Sequence, residues 1–198
     1  MIKCPWDKTE TGIELDNNEW ISQLYIQKDI PLSYLKKPEK KQEKQVRTLC
    51  EYLLGSRNFI LLVTKDTSHT LALYFWIAGV WSITTQKGFV IKKPIDLDPF
   101  KEDYQEQIQR MRSTGLLILP YSDPTDYNLR KTKNALGGVL SDRKAKRKPT
   151  ITDVFSRQEP RDTDLPNLIN SLSSVYGEQC VPMYLDEKSN SKILRVRS

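Results

Sequence analysis

The residues best placed to do chemistry stand in a short polar stretch, TKDTSHT, from Thr64 to Thr70. It lies between the apolar run FILLV and the apolar segment LALYFWIAGVW. A strand, a tight loop and a helix in that order form a common cradle for phosphates. Glycines let backbone N–H groups wrap the oxygens, a lysine reaches the terminal phosphates, and a Ser or Thr hydroxyl holds magnesium. Set on the pattern Gly-x-x-x-x-Gly-Lys-Thr, the chain reads Val63, Thr64, Lys65, Asp66, Thr67, Ser68, His69, Thr70. Only Thr70 keeps its type. Val63 and Ser68 replace the glycines, at a backbone cost of about 1–2 kcal/mol wherever a left-handed conformation is required. His69 replaces the lysine, and Asp66 brings negative charge to where phosphates would lie. Lys65 is the substitute cation such a site would have. His69 is also the sole histidine of the chain, which excludes a histidine dyad and a His-rich metal site.

A second set of residues is cationic. Arg143, Lys144, Lys146, Arg147 and Lys148 crowd the stretch DRKAKRKP. Arg130, Lys131 and Lys133 precede them at helical spacing, and Lys92 and Lys93 follow the apolar GFVI. The net charge of the whole chain is +6. Polyanions such as DNA are bound through such cations, although a solvated face has the same composition. Concentrated like charge is mildly destabilising unless a polyanion or an acidic partner uses it. For the 143–148 cluster the expectation is a cationic patch at a helix end. Pro149 biases Lys148 away from helical geometry.

The elements that must position these groups follow from apolar patterning. Continuous apolar runs predict strands at about 58–63, 88–92, 115–120, 148–153 and 180–185, with a further one in KILRVR. Helical segments alternate with them: 20–27, a segment carrying Val46, Leu49, Cys50, Leu53 and Leu54, then 68–83, 98–112, 124–145 and 164–177. Pro99 is expected in the first turn of the 98–112 helix, and a curve or interruption near Gly137–Gly138 in the next. Alternation of this kind predicts an α/β fold, a mostly parallel sheet with helices on both faces. The expected organisation is an N-terminal extension and connector over 1–40 and one domain over 41–198. Cys4, Cys50 and Cys180 are too scattered for a disulfide framework. No apolar run is long enough to span a membrane, and MIKCPWDKTETG lacks the apolar core of a secretory leader. A cytoplasmic protein with no membrane partner is the expectation.

In order, these pieces resemble the AAA+ module of the bacterial DnaC/DnaI/IstB helicase loaders and transposition helpers, from about Ile30 to Leu185. IPLSYL resembles the Ile-Pro segment that leads into that module. RNFILLVTKDTSHTLAL takes the place of Walker A, and STGLLILPYSDP that of Walker B. RKAKRKPTITDVFS resembles the basic helix end and the strand bearing sensor 1. LPNLINSLSSVYGEQCVPMYLDEK resembles the last helix and strand, where the family carries an arginine finger. CPWDKTETG is similar to the opening of a zinc module found in some members, with Asp7 where a second cysteine would stand.

The resemblance implies a P-loop NTPase-like, AAA+-like fold, and it also marks what is missing. Pro120 and Tyr121 follow LLIL where two carboxylates belong, and Asp123 comes three residues late. Asp153 stands near the sensor 1 asparagine. Ser173, Ser174, Val175 and Tyr176 carry no arginine finger. Phosphoryl transfer is mostly charge placement, so losses at four separate elements imply a pseudo-ATPase: no catalytic residues, no metal site and no required cofactor, with weak binding of ATP and magnesium left open. The partners implied are DNA, single-stranded above all, or a replicative helicase or transposase-type protein. Two alternatives remain: an ATPase built on Thr70, Lys65 and a repositioned Asp123, or a purely protein-binding cap of an AAA+ ring or helicase. Oligomeric state is not indicated.

Overall fold

The computed structural model describes residues 2–7, 19–55, 58–64, 67–93, 96–120, 127–155, 181–186 and 189–193. Among these residues six strands form one sheet: β1 (Phe59–Thr64), β2 (Phe89–Ile91), β3 (Leu116–Leu119), β4 (Thr150–Phe155), β5 (Val181–Asp186) and β6 (Ser189–Ile193), in the order β2-β3-β4-β1-β5-β6. The first five run parallel, and β6 pairs antiparallel with β5 at the edge. β1 is therefore central, in register with β4 on one side (Leu62 beside Asp153) and β5 on the other (Leu62 beside Met183).

Among the described residues five α-helices accompany the strands: α1 (Glu19–Gln27), α2 (Lys40–Leu54), α3 (Thr67–Thr85), α4 (Tyr104–Ser113) and α5 (Tyr127–Ala145). The apolar runs of β1 and β3 are buried throughout because helices cover both sheet faces. Ile60, Leu62, Leu116, Ile118 and Ile151 pack against α1, α2 and α3, with Leu49, Leu73 and Ile77 among their partners. Phe59, Leu61, Val63, Leu117 and Leu119 face the other way, toward Ile108 and Met111 of α4 and Leu136, Val139 and Leu140 of α5. Burying each such side chain contributes about 1.5–3 kcal/mol. The apolar α3 is packed between the sheet and the helices around it. Gly79 lets α1 come close: a Cβ there would collide with the Tyr25 hydroxyl, which donates to the Phe75 carbonyl.

The first five strand positions expected from the sequence are met to within two residues, whereas β6 overlaps the strand expected in KILRVR only at Lys192 and Ile193. β4 starts later than expected because the chain first closes the end of α5. Arg147 adopts a left-handed φ of 49°. Its N–H bonds the Lys144 carbonyl and that of Lys148 the Arg143 carbonyl, a Schellman cap. The helix expected at 98–112 begins only at Tyr104. Asp98 holds a separate turn, its Oδ1 accepting the Phe100 N–H at 3.0 Å, so Pro99 precedes the helix. α5 runs without a break through Gly137 and Gly138. The segment expected as a helix at 164–177 lies outside the described residues, as does Cys180. Among the described residues no helix is long and apolar enough to cross a membrane.

Candidate functional site

A phosphate cradle needs open loop between strand and helix. Here β1 continues through Thr64 and α3 begins at Thr67. Of the eight positions aligned with the phosphate-loop pattern, only Lys65 and Asp66 fall between the two elements; both lie outside the described residues. Thr64 is 1% exposed and Thr70 0% exposed, and the Thr70 hydroxyl donates to Thr64 Oγ1 at 2.9 Å. The hydroxyl in the magnesium position thus points into the protein. His69, in the lysine position, is half-buried with its Nε2 3.3 Å from Oε1 of Gln45 on α2. Ser68 is exposed at the start of α3. Thr67 also lies in its first turn.

Asp153 is equally committed to the interior. It is 1% exposed, and its Oδ1 accepts the buried Tyr74 hydroxyl at 2.6 Å. A carboxylate away from water needs such a donor. Tyr74 lies one turn after Thr70, so this side of α3 is tied to β1 by one residue and to β4 by the next. Pro120 is buried at the end of β3, where a metal-holding carboxylate would stand. Tyr121 and Asp123 lie outside the described residues. Among the described residues no group of three His, Cys, Asp or Glu side chains could hold a metal ion.

At the N-terminal segment, Asp7 has a structural use. Its carboxylate accepts the Cys4 N–H at 2.8 Å and pairs with Arg47 of α2 at 2.8 Å. Cys4 is fully buried, and burial together with the Asp7 charge pushes its thiol pKa up to about 12. It packs as a core residue.

The cations separate into distinct environments. Arg143 does not belong to a surface patch, and that expectation is corrected: it is 0% exposed. Its Nε donates to Thr150 Oγ1 at 2.9 Å, its Nη1 to the Met111 and Thr114 carbonyls at 2.8 Å each, and its Nη2 to the Pro149 carbonyl at 2.6 Å. One guanidinium thus joins the ends of α4 and α5 to the start of β4. Burial pulls its pKa down to about 10, which leaves it charged at neutral pH. The pattern that reveals this is Leu136, Val139, Leu140 and Arg143, a single helical stripe of which three members are apolar. Lys148 is half-buried, its Nζ capping α4 through the Arg112 and Ser113 carbonyls at 3.0 and 2.8 Å. Lys144, Lys146 and Arg147 are exposed. Lys92 is half-buried and Lys93 exposed after β2. Arg130, Lys131 and Lys133 lie on the first half of α5, their side chains outside the described ones.

No protein-family model matches the chain, and no curated protein matches it in sequence. Solved structures do match its fold. The DnaC helicase loader superposes with a TM-score of 0.54 at 11% identity, over 76% of this chain and 93% of that one. DnaI gives 0.50 at 9% identity, over 76% and 88%. A proposed primosome component from Streptococcus pyogenes serotype M3 gives 0.50 at 14%, over 79% and 90%. The chain shares its fold with these structures.

Proposed function

We propose that this chain is a loader-like AAA+ protein that works by binding and does not turn over nucleotide. The observation that carries the reading is the buried Thr70–Thr64 pair, with β1 and α3 closing on the positions a phosphate cradle would need. Asp153, held by Tyr74, and Pro120, where a carboxylate would stand, remove two further groups from such a site. What remains of the family pattern is the scaffold, with exposed cations at Lys144, Lys146 and Arg147 and at Lys93. DNA, or a replicative helicase or transposase-type protein, is the partner class that this combination supports. A DNA partner requires affinity that falls steeply with salt; a protein partner does not.

The test is release of inorganic phosphate from magnesium-ATP, with and without single-stranded DNA. Background release is expected in both conditions. Release that Thr70→Ala abolishes would return the chain to the ATPases.

A further inference from the structure

At the end of the sheet away from Thr64–Thr70 the molecule carries a groove of about 900 Å³. Asn58, Gly88, Gly115 and Pro149, the residues that immediately precede β1, β2, β3 and β4, all line it. Its cations are Lys87, Lys146, Arg147 and Lys148, and no acidic residue is among those that line it. The ends of α2, α3, α4 and α5 border the same groove. Cations at helix C-termini favour the helix dipoles, and this is the simplest account of them. It explains Lys148, which caps α4 directly. Lys87, Lys146 and Arg147 make no side-chain hydrogen bond or ion pair with any described residue, so the dipoles leave most of the charge unexplained. Burial, with Arg143 and Lys146 nearby, lowers the pKa of Lys148, as expected for cations gathered without a counter-charge.

A second observation is independent of charge. Trp81 lines the groove and is 4% exposed, and its indole N–H is buried without an acceptor among the described residues. Buried donors normally find one. Gly115 bears on the same wall: a Cβ there would approach the Gly88 carbonyl oxygen to 2.9 Å and Trp81 Nε1 to 3.5 Å. Three groove cations without an anion describe a site for phosphoryl oxygens. Leu54, 41% exposed, adds an apolar rim suited to a nucleobase.

We propose that this groove binds a nucleotide unit, free or within a single strand, with its phosphate between Lys87, Lys146 and Arg147. The site is separate from the silent phosphate loop, and it shares with the DNA reading above Lys146, Arg147 and Lys148.

The test uses the full chain and a fluorescent oligothymidylate, with thymidine monophosphate and inorganic pyrophosphate as competitors. Lys87→Glu combined with Lys146→Glu changes the groove. Lys93→Glu combined with Lys144→Glu makes the same charge change at exposed positions outside it. The groove pair is expected to weaken binding about tenfold or more at moderate salt, and the control pair distinctly less, with melting temperatures unchanged. Competition by the monophosphate or pyrophosphate identifies free phosphate as a source; binding of the oligonucleotide alone identifies the strand. Equal loss from both pairs, or loss from the control pair only, overturns the groove while leaving a DNA partner standing. Binding of none of the probes overturns both.

Discussion

The Thr70 hydroxyl donates to the Thr64 hydroxyl across 2.9 Å, joining the first turn of α3 to the end of β1 inside the protein. In a working phosphate loop the equivalent hydroxyl faces a metal ion. Here it is part of the core, and substitution should read out as stability. Thr70→Val keeps the shape and removes the donor. It should cost about 1 kcal/mol in denaturant melts, with DNA or partner binding unchanged.

Arg143 makes a contrasting prediction. Arg143→Met removes a buried charge but strands the Met111, Thr114 and Pro149 carbonyls it serves. A loss of about 3 kcal/mol or more is expected. Arg143→Lys should recover little of it, because an ammonium cannot reproduce the guanidinium fork. Equilibrium unfolding of both variants checks this. Near-wild-type stability of Arg143→Met would contradict the assignment.

Much of this fold was legible in the sequence. FILLV and LLIL are apolar without alternation, and that pattern fits strands covered on both faces, where β1 and β3 lie. What escaped depends on contacts between distant segments. By composition Arg143 belongs with its charged neighbours, yet its place on the stripe of Leu136, Val139 and Leu140 sends it inward. Asp153 reads as a lost sensor; its partner Tyr74 is 79 residues away and is brought to it only by the packing of α3 on β4. The late start of β4 follows from the left-handed Arg147, a conformation that residue type alone does not suggest.

That conformation is itself testable. A non-glycine residue at a φ of 49° costs about 1 kcal/mol relative to glycine. Arg147→Gly should therefore raise stability by about that amount while weakening binding of anions in the groove. Loss of stability in the melt would show that the Arg147 side chain supports the cap.

The ion pairs of Arg47 with Asp7 and Glu43, which tie α2 to the N-terminal segment, set an acid limit. Burial would raise the pKa of Glu43, but hydrogen bonds from Arg47 and Lys37 outweigh it and hold the carboxyl below its usual range. A folded pKa below the unfolded one adds stability that is fully present above the unfolded value of about 4.3. It is lost as pH falls through the folded value. The pair is half-exposed on the arginine side, so about 0.5–1 kcal/mol is at stake. Melting temperatures measured between pH 6 and acid should fall less steeply in Glu43→Gln than in the wild type. Equal slopes would place the acid sensitivity elsewhere.

The central claim, that the closed Thr64–Thr70 region no longer holds nucleotide for hydrolysis, is tested most directly by thermal melting with saturating magnesium-ATP. A ligand at about 100 times its dissociation constant stabilises a protein by about 2.7 kcal/mol, a shift that melting resolves easily. Groove binding of ATP, if it occurs, is separated by repeating the melt with Lys87→Glu/Lys146→Glu. In that variant the account predicts no shift with magnesium-ATP. A shift that persists there and disappears on adding Thr70→Ala would contradict it.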